Sequence, residues 1–260
     1  MTGLIRNELI KIVKQKKIFI MAGVILAITL ALVFVSFSVE EAAPLASGGQ
    51  EFPLSLLEGM VNLLPLLLIF IVSDMVAGEY NSGTLKLSLL YPVSRDRLLI
   101  SKMMAILVMT VFLLAFTLVT GYIAGFLAWG WEEGFTYMGM EYSTGKGILV
   151  TLQSYLITVL PVFSLGLLFL FLSLLVKNGT AALGLSFVIF LAMSFLSDFM
   201  EIARPILITS YLNIFQFILL RDESSELSRM ILPGFAVLVL GTTLLIAVSL
   251  LYFQRKDILQ

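Results

Sequence analysis

The side chains that most often do chemistry are scarce in this chain, which has no histidine and no cysteine in 260 residues. Ser–His catalysis, the usual zinc-ligand sets, the helical HExxH motif, cysteine nucleophiles and disulfides are therefore excluded. One acid, Glu58, lies inside a long apolar run, Pro53–Ser73. An intramembrane aspartyl protease needs two such acids, so that chemistry is the most disfavoured of the readings. Ser55, Glu58 and Asn62 fall at i, i+3 and i+7, with Pro65 interrupting the backbone ladder one turn further on. An ionisable residue within a membrane span is by default a functional candidate, and the three could line a translocation path. Glu58 is five residues from Pro53, roughly 7–8 Å deep at 1.5 Å per residue, so it could equally reach headgroups or water. Residues Gly139–Gly147 (GMEYSTGKG) imitate a phosphate loop, but the spacing is one residue too long and Gly147 stands where Ser or Thr is required. No ATP site, metal site or nucleophile–base pair is visible.

The elements that must position these residues are set by composition. The chain is 60% hydrophobic and 13% charged, with a mean hydropathy of +1.06. A soluble core could not hide that much apolar surface, so lipid must serve as solvent. Six runs approach or exceed the roughly 20 residues needed to cross a bilayer: Ile18–Phe37, Pro53–Ser73, Met103–Trp129, Ile148–Val176, Thr180–Ser197 and Ile231–Phe253. The expected fold is all-α, one polytopic transmembrane domain over 1–260. Lys177-Asn178-Gly179 makes a tight hairpin between the fourth and fifth spans. Residues 2–17 place Leu4, Ile5, Leu9, Ile12 and Val13 on one helical face and Arg6, Glu8, Lys11 and Lys14 mostly on the other. Such a basic amphipathic helix lies in the headgroup layer of an anionic leaflet, so membrane lipids are a partner. In 198–230, the uncharged run 205–220 begins with Pro205 and is short for a span. It reads as a re-entrant or interfacial hairpin on the outer side. Trp129, Trp131 and Tyr137 suit an interface belt.

Basic residues set the orientation. Of sixteen Lys and Arg, twelve lie in the N-terminal helix, the segment after the second span, the connection after the fourth and the tail. Only Lys146, Arg204, Arg221 and Arg229 lie on the other side. The positive-inside rule places both termini in the cytoplasm, with the Asp74–Lys102 segment beside them. That segment reads as two short helices separated by a turn. Gly78 and Gly83 loosen the exit from the second span, and Ser82 or Thr84 can cap the first of the two. Leu85, Leu87, Leu89 and Leu90 are too apolar for a solvated loop, and Tyr91-Pro92 ends their helix. Ser94 can then cap a helix with Asp96 in its first turn that runs on into the third span. On physical grounds alone, a basic connector that merely fixes topology remains open.

The order of residues in this segment resembles the membrane subunits of ABC-2 type ABC transporters. The pattern is carried by Ala77, Gly78, Glu79, Tyr80, Ser82, Gly83, Thr84 and Leu85, then by Pro92, Val93, Ser94, Arg95 and Lys102. Glu8–Lys11 (ELIK) and Phe253–Ile258 (FQRKDI) are similar to the same family, so the likeness extends over the whole chain. The resemblance implies that 74–102 contains a coupling helix that docks into a separate cytoplasmic ABC ATPase, present in two copies. Arg6, Glu8 and Lys11 would belong to a connecting element at that interface. A second permease, identical or not, would complete the complex, and the second and fifth spans would line the path between the two. ATP and Mg2+ are expected on the ATPase, with no cofactor in this chain and no nucleic-acid partner. The implied function is export from the cytoplasm across a bacterial plasma membrane, with ions, drugs, antimicrobial peptides and lipids as substrate classes. A non-transporting platform that holds an ATPase for signalling or immunity is the alternative. A stand-alone secondary transporter is disfavoured, because the spans lack paired ionisable residues and show no inverted repeat.

Overall fold

The computed structural model describes residues 1–38, 48–84, 94–131, 133–137, 140–200, 202, 204–219 and 225–255. Its helices are α1 (Thr2–Val13), α2 (Lys17–Ser38), α3 (Phe52–Met60), α4 (Leu63–Ser73), α5 (Glu79–Asn81), α6 (Arg95–Trp129), α7 (Thr144–Leu175), α8 (Gly179–Phe199), α9 (Gln216–Leu219) and α10 (Ser225–Arg255). Six helical stretches are long and apolar enough to cross a membrane. They correspond in order to the six expected runs. In α4 with its extension and in α7, 61% of the most apolar window is buried, against 17% in α2 and 22% in α8 and in the last span. The second and fourth spans are thus the protein-facing centre, around Leu64, Leu68, Leu165 and Phe169. The outer helices present Phe19, Leu30, Phe34, Val188 and Leu240 outward, as lipid-facing surfaces do.

The second span is broken where its sequence demands. Pro65 has no N–H to give the Val61 carbonyl, and the helix stops at Met60 and restarts at Leu63. Below Ser73 the chain winds into a π-turn, Asp74–Gly78. The cause is a side chain inserted into the ladder. Ala77 N–H donates to Ser173 Oγ (3.0 Å), whose hydroxyl donates to the Ser73 carbonyl (3.1 Å), the acceptor Ala77 would use in an α-helix. On α6, Gly121 and Gly125 let α3 approach closely. A Cβ at Gly121 would lie 3.1 Å from Pro53 Cα, and one at Gly125 3.1 Å from Phe52 Cβ.

One feature departs from the all-helical expectation. Residues Gly134–Tyr137 (β1) and Met140–Ser143 (β2) form an antiparallel hairpin with Phe135 opposite Tyr142. Here aromatic and β-branched residues alternate, and Phe135 lies on the bare Gly147 at the start of α7. The run 205–220 does not span. It makes a 3-10 turn, Ile208–Tyr211, and the short α9, burying Leu212, Ile214, Phe215 and Leu219 against the bundle. The hairpin and this segment occupy one end of the bundle. The opposite end gathers α1, α5, the start of α6 and the end of α10, where Arg95 Nη1 donates to the Gln254 carbonyl (3.2 Å) and Gln254 Nε2 to Asp96 Oδ1 (2.8 Å).

Candidate functional site

Four charges meet at the end that gathers α1, α5 and the last turn of α10. Lys11 Nζ donates to Glu8 Oε1 and Glu79 Oε1, each at 2.8 Å. Lys102 Nζ donates to Glu8 Oε2 at 2.9 Å and Glu79 Oε2 at 2.7 Å. Each ammonium thus bridges both carboxylates, closing a ring of two positive and two negative groups. The Lys102 side chain is 1% exposed and Glu8 5%. Burial pushes the Glu8 carboxyl up, but Lys102 and Lys11 outweigh it and hold Glu8 below its ordinary value. Burial opposes the charge on Lys11, yet Glu79 and Glu8 raise it above its ordinary value.

Each member comes from a different part of the chain. Glu8 and Lys11 lie one turn apart on α1, Glu79 follows the π-turn, and Lys102 is two turns into α6. The inward face of α1 is therefore the Glu8–Ile12 face, while Ile10 and Val13 stay exposed. That corrects the expected split: Glu8 and Lys11 meet the bundle because their charges are satisfied there. Arg6 remains exposed. A second link lies beside the ring. Lys17 pairs with Asp74 and donates to the Phe70 carbonyl at 2.8 Å. The Asp74 carboxylate also lies against the N-terminus of α8, where a Cβ on Gly179 would be 2.5 Å from Oδ1.

The rest of the candidate coupling segment is partly described. Gly83 has φ +73°, a conformation that favours glycine. Ser82 and Thr84 hydroxyls each donate to the Glu79 carbonyl at 3.3 Å and so close on the helix behind them, while the helix they were expected to cap lies outside the described residues. Lys177 stands over the Tyr80 ring, 5.5 Å from its centroid. Leu85, Pro92 and Val93, with the proposed leucine helix, lie outside the described residues. Ser94 occupies the N-cap position of α6 without a side-chain cap bond, and Asp96 is in its first turn as expected. The ring clamps both ends of the segment, since Glu79 precedes residues 85–93 and Lys102 comes after them.

At the other end, Ser55 is half-buried while Glu58 and Asn62 are exposed. Glu58 is fully engaged, with Tyr137 Oη donating to Oε2 (2.8 Å) and Gln216 Nε2 to Oε1 (3.0 Å). Burial first, and then Glu58, push the Tyr137 phenol far above its ordinary value, so it stays a donor. Tyr137 is 5% exposed and is a bonded core residue, where an interface belt was expected. Asp74, Ser173 and Gln216 do not stand out from the sequence as site residues, whereas Lys102 is legible there as part of the family pattern and Tyr137 as an interface aromatic. The physical signal available for Lys102 is a lone charge at the very start of an apolar run. Among the described residues no group of three or more acids could hold a metal ion.

Six membrane-length helices with a charge-clamped segment between the second and third define a multi-pass helical membrane protein. The chain belongs to the family described as "Protein of unknown function (DUF2705)", whose model matches residues 9–259. Among curated proteins none matches it.

Proposed function

We propose that the chain is the permease subunit of an ATP-driven exporter, with 74–102 receiving the motion of a separate ATPase. In this reading the end holding α1, α5 and both termini faces the cytoplasm of a plasma membrane. The ATPase brings ATP and Mg2+, and a second permease completes the path. One observation carries the reading: the Glu8–Lys11–Glu79–Lys102 ring ties both ends of the segment to the interfacial helix and to the second and third spans. A connector that only fixes topology has no need of a fully paired ion ring built on a buried lysine at its base, since leaving Lys102 or Glu8 unpaired is costly. A push on residues between Glu79 and Lys102 would move α1, α5 and α6 together. The resemblance of Ala77–Leu85 and Pro92–Arg95 to coupling segments supports the same assignment.

The test is coexpression with an ABC ATPase subunit from the same genome. A detergent-stable complex is expected whose ATP turnover falls when Glu79→Gln, Thr84→Ala or Arg95→Ala is introduced. Assembly and turnover untouched by all three would remove the coupling role. Binding and turnover without substrate movement in vesicles would leave the platform reading in its place.

A further inference from the structure

At the end away from the ion ring, a groove of about 940 Å3 runs between two walls. One wall is the second span, with Gly59, Asn62 and Leu63; the other is the 204–213 stretch, with Thr209, Ser210 and Asn213, backed by Ser194 on α8. Glu58 is the residue next to Gly59, and Gln216 lies three residues beyond Asn213. Their hydrogen bond at 3.0 Å therefore joins one wall to the other. The second carboxylate oxygen takes the Tyr137 hydroxyl at 2.8 Å, bringing the hairpin to the same point. Tyr142 Oη donates to the Leu219 carbonyl at 2.8 Å, so the hairpin and the 204–219 segment are tied to each other as well.

We infer that Glu58 is the catch of a latch at this end: its carboxylate holds the 204–219 wall to the second span and ties the β1–β2 hairpin to the same point, and breaking its two bonds lets the walls part and the groove open. The fastening is built to release. Among the described residues no ion pair reaches Glu58, and both donors are neutral. The elements it holds are short, a 3-10 turn and a helix of four residues each and strands of four, with little internal stability of their own. The latch belongs to this chain alone and does not rest on the ATPase assignment.

The absence of cysteine makes the test direct. Ser194→Cys puts a thiol in the groove wall, where the native hydroxyl oxygen is buried without a partner. In lipid nanodiscs, its reaction with a membrane-impermeant maleimide reports opening. Tyr137→Phe, which removes only a hydroxyl, and Gln216→Ala should each raise that rate by about tenfold, the factor that one hydrogen bond to a charged group supplies. Glu58→Ala should raise it further. A control thiol from Ser82→Cys at the opposite end should react at one rate in every background. Thermal midpoints identify any variant that fails to fold, and Tyr137→Phe keeps the test alive if Glu58→Ala does. An unchanged rate in folded Tyr137→Phe and Gln216→Ala overturns the latch. So does a thiol that already reacts at the speed of a free one with Glu58 intact.

Discussion

Lys102 is an ammonium buried to 1% exposure at the start of an apolar helix, and it is tolerated because two carboxylates accept hydrogen bonds from two of its three N–H groups. Lys102→Met removes one charge and leaves Glu8 and Glu79 facing Lys11 alone. Breaking a buried pair this way costs about 3–5 kcal/mol. Removing Glu79 as well, in Lys102→Met/Glu79→Met, restores neutrality, because Glu8 and Lys11 still pair at 2.8 Å. Thermal unfolding should therefore show the double variant more stable than Lys102→Met, and strict additivity would refute the ring as an energetic unit. The two shifted groups also fix a pH window. Glu8 is lowered from 4.5, so its stabilisation is present above that value and is lost as pH falls through its folded value. Lys11 is raised from 10.5, so its share is present below that value and is lost as pH rises beyond it. The ring's contribution to the melting temperature should be flat between the two and drop at both ends, and Lys102→Met should flatten the acid limb. In the sequence, Glu8, Lys11, Glu79 and Lys102 are all visible as charges near a membrane surface. Their closure into one ring is not, because Lys102 and Glu8 are 94 residues apart and no local pattern pairs them.

Among elements, the π-turn decides where Glu79 points. It accommodates one extra residue in the second span, and an α-helix turns about 100° per residue. If Ser173 no longer separated Ala77 N–H from the Ser73 carbonyl, the α-helical bond could re-form and swing Glu79 away from Lys102. Ser173→Ala is expected either to leave Ala77 N–H buried and unpaired, at about 1–3 kcal/mol, or to relax the turn and open the ring. In both cases the melting temperature falls. In the second case Ser173→Ala and Glu79→Gln are strongly non-additive, which a double-mutant cycle in detergent would resolve. Additive effects would mean the turn does not position Glu79. The break at Pro65 and the unbroken run from Ser94 into the third span are legible in the sequence, since proline chemistry and helix capping act within a few residues. The hairpin is not, as four-residue strands between two long helices give too short an alternation to stand out. The π-turn is invisible there because its cause, Ser173, lies on another helix.

At the scale of the whole molecule, the two ends of the bundle differ in charge. Among described residues, the end with α1 and α5 carries Arg6, Lys11, Lys14, Lys16, Lys17, Arg95, Arg97, Lys102, Lys177 and Arg255 against Glu8, Asp74, Glu79 and Asp96. The hairpin end carries Lys146 and Arg204 against Glu51, Glu58, Glu133, Glu141 and Asp198. Arg204 is spent on the end of α8, donating to the Ser197 carbonyl at 2.8 Å, where a cation complements the helix dipole. Arg95, Asp96 and Gln254 join the start of α6 to the end of α10 at the basic end, so the loop count and the bundle agree that these two segments share a side. The proposed orientation puts this basic end in the cytoplasm, as the positive-inside rule expects. Single thiols test this in intact cells. Glu133→Cys, just before β1, should react with a membrane-impermeant maleimide at once, whereas Ser82→Cys should react only after permeabilisation. The reverse pattern would invert the molecule and put the ion ring outside, where no cytoplasmic ATPase could reach the segment it clamps. Labelling of both from one side would mean that the six helices do not all cross.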